Sequence, residues 1–278
     1  MADKGLQWQT LGSEGAAMTL IRTPAVAGQF YSANAGELSA TVATLLDEAQ
    51  DRKTPAPKAL IVPHAGYIYS GPVAANAYAL LRPYRDQYQR VILLGPCHRT
   101  PVHGLALSSA DAFRTPLGDI PLDKAALDNL NIAGVQIFDR AHQDEHCLEV
   151  HLPFLQAVLG DFSVVPIVVG DASPEFVSQV LDRLWGGPET LIVVSSDLSH
   201  YVKYDEARAI DAVTCRAIEN LNGALINHDM ACGATPVAGL LIAAERRGMK
   251  VTTLDLRNSA DTAGDGDFVV GYGAWMFV

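Results

Sequence analysis

Three unbroken apolar runs, at 59–62, 91–94 and 191–194, each lead within a few residues to a histidine: His64, His98 and His200. Runs of Val, Ile and Leu without polar alternation are strands buried on both faces. That burial requires a mostly parallel sheet with helices on either side. In such a sheet, ligands collect in the crevice outside the carboxyl ends of the strands. Three imidazoles at equivalent strand ends therefore point to one convergent metal or acid–base site.

The rest of the chain keeps the alternation. Leu38, Val42, Leu45 and Leu46 fall at helical spacing within 36–50. A second helix is expected to open near Ser70-Gly71-Pro72, the serine capping it and the proline in its first turn. More helices are expected over 148–159, 174–184, 204–221 and 236–247, the last stopped by Gly248. Further strands are expected over 104–109, 164–169, 251–256 and 268–278, the final two antiparallel. Segments 113–119 and 258–267 read as loops rimming a pocket. With no repeat at fixed period and no Pro/Gly-rich linker, one α/β domain is expected over 21–278, behind a flexible tail at 1–20.

Composition narrows the function. The chain has 20 basic and 31 acidic residues, a net charge of −11. That is the wrong sign for a polyphosphate, so no nucleic-acid partner is expected. No stretch approaches the ~18 continuous apolar residues of a membrane span, and the first residues lack a signal pattern; a cytoplasmic protein without a membrane partner is expected. Four cysteines without a CxxC pair fit reduced thiols.

Several residues are candidates for chemistry. His64 and His98 each sit in a turn at a strand end, beside Gly66 and after Gly95-Pro96-Cys97. Cys232 precedes a helix and is flanked by Gly233, where the helix dipole would lower a thiol's pKa. Cys97, next to His98, is its rival; Cys147 and Cys215 read as core. Asp197 lies three residues before His200 and would accept its N–H, a pairing suited to general acid–base work. In the segment Asp144 to His151, His146 is expected to face the site and His151 to face away. His103, His142 and His228 read as surface or loop residues. No GxGxxG, Walker A, HExxH or GxSxG pattern is present.

Taken together, Pro24 to Tyr31, Pro63-His64-Ala65-Gly66-Tyr67-Ile68-Tyr69-Ser70-Gly71, Gly95-Pro96-Cys97-His98, Glu145-His146 through His151-Leu152-Pro153-Phe154, Ser195 to His200, and Gly264-Asp265 through Val269-Val270-Gly271-Tyr272 resemble the Memo family. Its prokaryotic members are called AmmeMemoRadiSam system protein B. The resemblance implies the fold of class III extradiol ring-cleaving dioxygenases (LigB-like), which are non-haem Fe(II) enzymes. It implies that His64 and His98 are metal ligands, with Cys232 where the dioxygenases place a glutamate. It also implies His200 as acid–base, with Asp197 and His146 lining the pocket. Thiolate in place of carboxylate softens the site, so Fe(II) is joined by Cu(I) and Zn(II) as candidates, and the ligand becomes oxidisable. The resemblance leaves three functions open. One is a dioxygenase-type oxidoreductase acting on a small phenolic-like substrate. Another is a protein that binds iron, copper or a phosphopeptide without turnover. The third is a metal-free enzyme with Cys232 as nucleophile. Radical-SAM and AMMECR1-like proteins are its implied pathway partners.

Overall fold

A computed structural model describes residues 19–278. Most of the expected tail at 1–20 lies outside that range. Leu20 is tied down: its N–H donates to the Asp111 carboxylate at 2.8 Å, and its carbonyl accepts the Asp111 N–H at 2.6 Å.

Four parallel strands form the heart of a nine-stranded sheet among the described residues. In spatial order they are Ala59–Val62, Thr190–Ser195, Arg90–Pro96 and Ser163–Val169. Every residue of the first two is buried, as continuous apolar runs require. The register sets Val62 beside Ser195 and Leu94 beside Val194. Three adjacent strands thus end at one edge of the sheet, and His64, the 196–200 segment and His98 emerge into one crevice.

Antiparallel strands close one flank, as expected. Val269–Phe277 lies against Ala59–Val62, and both Val251–Asn258 and His200–Val202 pair with it. His200 therefore begins a strand of its own instead of ending the preceding one. On the other flank, Leu105–Leu107 pairs with Ser163–Val169 and Val135–Ile137.

Several local expectations are corrected. The 113–119 segment is a hairpin: Ala112–Thr115 and Gly118–Pro121 pair, are clipped by Arg114–Asp119, and are joined by Ile21–Arg22 in a separate sheet. The second helix opens at Tyr67, so Ser70 does not cap it and instead bonds the Ala65 carbonyl at 2.9 Å. Pro72 lies within this helix; the bond it forgoes belongs to the carbonyl of Ile68, an exposed first-turn residue. The 148–159 region splits into a 3₁₀ turn, Glu149–His151, and a helix, Leu152–Val158, because Pro153 suits a helix start. Gly248 does stop the helix Ala234–Glu245, in the left-handed region at φ +62°.

Candidate metal centre

Ser195 organises one half of the crevice floor. Its Oγ lies 2.7 Å from the Cys147 carbonyl, 2.6 Å from His64 Nδ1 and 2.8 Å from His151 Nε2. A carbonyl can only accept, so the single hydroxyl proton goes to Cys147 and both imidazoles donate into the remaining lone pairs. His64 thus carries its proton on Nδ1 and presents a bare Nε2. His151 is fixed likewise, its Nδ1 accepting from the Tyr78 hydroxyl at 2.8 Å. It is buried, with both ring nitrogens engaged. Burial, helped by neighbouring imidazoles, holds His64 well below the usual histidine pKa.

Glu145 organises the other half. Its carboxylate accepts the His98 N–H at 2.7 Å, His98 Nδ1–H at 2.9 Å, and the N–H groups of His146 and Cys147 at 3.0 and 3.1 Å. Burial alone would raise this carboxyl; the hydrogen bond and charge of His98 outweigh it and bring Glu145 to about 2. Held at Nδ1, His98 also presents Nε2, the arrangement that orients imidazole ligands around metals. His146 Nδ1 is buried and lies 3.4 Å from Glu145 Oε1, without a hydrogen bond. One ring nitrogen each of His64, His98 and His146 falls within 4.8 Å of the others.

Cys232 stands beside this trio. Its Sγ is 3.5 Å from His64 Nε2 and 3.3 Å from the Asp197 N–H. Gly233 makes the approach feasible, since a Cβ there would lie 2.6 Å from the Ser195 carbonyl oxygen. The expected lowering of the thiol pKa is not found. Burial, then the Asp197 charge, pushes Cys232 up to about 12, and the residue lies ahead of the helix instead of inside its first turn. The donor set fits a metal: two bare nitrogens, one orphaned buried nitrogen and a sulfur. Nitrogen and sulfur on one tetrahedral ion sit roughly 3.6 Å apart, close to the 3.5 Å seen here. A second grouping, His98, Glu145 and Cys147, is equally compact but already committed. Glu145 accepts four bonds there, and the buried Cys147 thiol donates to the Pro96 carbonyl.

Asp197 does not pair with His200. Its Oδ1 accepts the His64 N–H at 2.7 Å, and burial raises the carboxyl to about 6. His200 Nδ1 donates instead to the Leu198 carbonyl at 2.7 Å, so the main chain sets its tautomer. The next residue, Tyr201, has φ +54°, a strain of about 1–3 kcal/mol for a bulky side chain. A cleft of about 370 Å³ opens beside the centre, with His98, Cys232, Cys97 and Val102 among its walls. Neither the 113–119 hairpin nor the 258–267 segment lines it. His142, expected at the surface, is buried and bonds the Ala106 carbonyl; His103 is exposed.

A family model described as "Memo-like protein" matches residues 22–276. The chain belongs to the Memo family. A MEMO1 family protein of Aquifex aeolicus is 36% identical over 274 residues, covering 93% of this chain and 99% of that one. One from Methanosarcina acetivorans is 36% identical, covering 91% and 98%. Protein MEMO1 of Xenopus laevis is 32% identical, covering 94% and 98%. Among solved structures, an uncharacterized Escherichia coli K12 protein has a TM-score of 0.49 at 13% identity over 78% of this chain and 98% of that one, too distant to decide activity.

In this Memo chain the residues that hold the centre in place are those that sequence reasoning passed over. Ser195, Tyr78 and Glu145 had no assigned role, and neither did Arg22 or Glu149. Arg22 is buried in an ion pair with Glu149 and donates to the carbonyls of His142 and Glu145. Glu149 also accepts from the Ala25 and Val26 N–H groups and the Tyr31 hydroxyl. The N-terminal strand is thereby bolted to the segment carrying His146. The available signal was the pair of glutamates, Glu145 and Glu149, flanking His146. No helix among the described residues is long and apolar enough to cross a membrane.

Proposed function

We propose that the chain is a metal-dependent oxidoreductase of extradiol-dioxygenase type, with Fe(II) as its resident ion. His64 and His98 would hold the ion through Nε2, with Cys232 as the sulfur ligand and His146 beside them. The observation that carries this is the fixed tautomer of both imidazoles: Ser195 and Glu145 occupy each Nδ1 and leave each Nε2 free. Bound Fe(II) would supply one-electron chemistry toward O₂ and a Lewis-acid centre for a phenolic oxygen. His200, with Nε2 free and Nδ1–H anchored on Leu198, takes the proton from a hydroxyl near the centre. Asp197 keeps the turn after Ala59–Val62 in place through the His64 N–H. A phosphopeptide finds little support here, because no Lys or Arg lines the adjoining cleft.

Element analysis of protein purified without oxygen is the test, together with O₂ uptake on a catechol panel. Wild type is expected to hold one iron per chain and Cys232→Ser far less, while His200→Ala keeps the iron but loses uptake. Tight metal binding without uptake on any substrate would reduce the chain to a metal-holding protein. Full retention of metal in Cys232→Ser would remove the sulfur from the centre.

A further inference from the structure

Tyr201 occupies a backbone conformation that suits glycine. His200 to Val202 face only Val269 and Val270 on the neighbouring strand, the two-against-one count of a β-bulge in which Tyr201 is the extra residue. With φ at +54° its Cβ is crowded, as glycine's missing Cβ would not be. Burial does not offset that strain, because Tyr201 is 74% exposed. Among the described residues its one aromatic partner is the His200 imidazole, edge-on at 5.9 Å. The Tyr272 phenol, raised chiefly by burial, feels Tyr201 as well as Asp197 and Tyr69. Strain at so exposed a side chain, held beside a residue of the site, points to something outside the chain.

We propose that Tyr201 is a specificity-determining lip, the face on which an aromatic ring of the ligand docks beside His200. The claim rests on the reading of His200 given above. Two aromatic walls meeting edge to face make a corner that takes a third planar ring by offset stacking.

The probe is catechol, with cyclohexane-1,2-diol as its non-aromatic counterpart, titrated calorimetrically into the full chain loaded with redox-inert Zn(II). Wild type should bind catechol more tightly than the diol. Tyr201→Phe should match wild type within about twofold. Tyr201→Gly should lose about tenfold in catechol affinity, leave diol binding and zinc content unchanged, and melt about 2–4 °C higher as strain is relieved. The proposal is overturned by equal binding of catechol and diol, by undiminished catechol binding in Tyr201→Gly, or by a lower melting temperature for that variant. Loss of zinc from wild type would instead break the metal reading and leave the lip to be judged on catechol alone.

Discussion

His98 and His200 both lie a few residues beyond the carboxyl end of a buried parallel strand, yet they are held in opposite ways. His98 is gripped at its backbone N–H and its Nδ1 by one buried carboxylate, itself bound by the neighbouring main chain. His200 has a single bond to a carbonyl two residues away and begins a strand that bulges at the next residue. The difference separates two tasks. A metal ligand gains from a position fixed before the ion arrives, whereas a proton carrier gains from reaching in more than one direction.

Removing Glu145 should do the most damage. Glu145→Ala strands four donors in a buried region and should cost about 3–5 kcal/mol of stability, read by urea unfolding. Metal affinity should fall about 10–100-fold. His200→Ala is the counterpart, expected to stay within about 1 kcal/mol of wild type with its metal content intact. Similar losses in the two variants would erase the contrast. Ser195→Ala comes next, since it leaves the Cys147 carbonyl and two imidazole N–H groups without their partner. It should cost about 2–3 kcal/mol and about tenfold in metal affinity.

Acid should weaken the gripped end of the metal-free protein first. Burial lowers His142, His146 and His151 to about 4, 4 and 3, and holds His64 well down for the same reason. Asp197 and Asp211 move the other way, each raised by burial to about 6. Near pH ~5 the unfolded chain therefore holds protons on four imidazoles that the native chain leaves neutral, while the native chain holds protons on two carboxyls that the unfolded chain has lost. The unfolded state binds more protons, so stability should rise with pH across about 4–6.5, by up to about 2–3 kcal/mol per unit. Glu145, depressed to about 2, adds a loss in the same direction once pH falls below its ordinary range. Unfolding free energies that stay flat from pH ~6 to ~5 would mean the imidazoles are not kept neutral.

The strands were legible because burial on both faces leaves an unbroken apolar signature, and the parallel order then brought His64, His98 and the 196–200 segment to one edge. The hairpin at 113–119 was not, since polar residues and Pro116 hide an edge pairing. Among site residues, the imidazoles and Cys232 were legible from residue type and strand-end position. What fixes them was hidden, because Glu145 and Ser195 act through backbone N–H groups, a carbonyl and ring nitrogens distant in sequence. Local spacing also misassigned Asp197: three residues from His200 in the chain, its carboxylate turns toward the His64 backbone instead.

The smallest effect distinguishes the two overlapping ligand groups. His98, Glu145 and Cys147 are as compact as His64, His98 and His146. Yet the Cys147 sulfur packs onto the strand, where a Cβ on Gly95 would come within 2.5 Å of it, and burial holds its thiol well above the ordinary range. A fully buried sulfur that donates to the Pro96 carbonyl and packs against Gly95 is a core atom. Cys147→Ala should therefore cost about 1 kcal/mol from the small void it leaves, with metal stoichiometry and affinity unchanged within about twofold. If that variant lost its metal while Cys232→Ser kept it, the ion would belong to the inner group and the grip of Glu145 would be coordination instead of support.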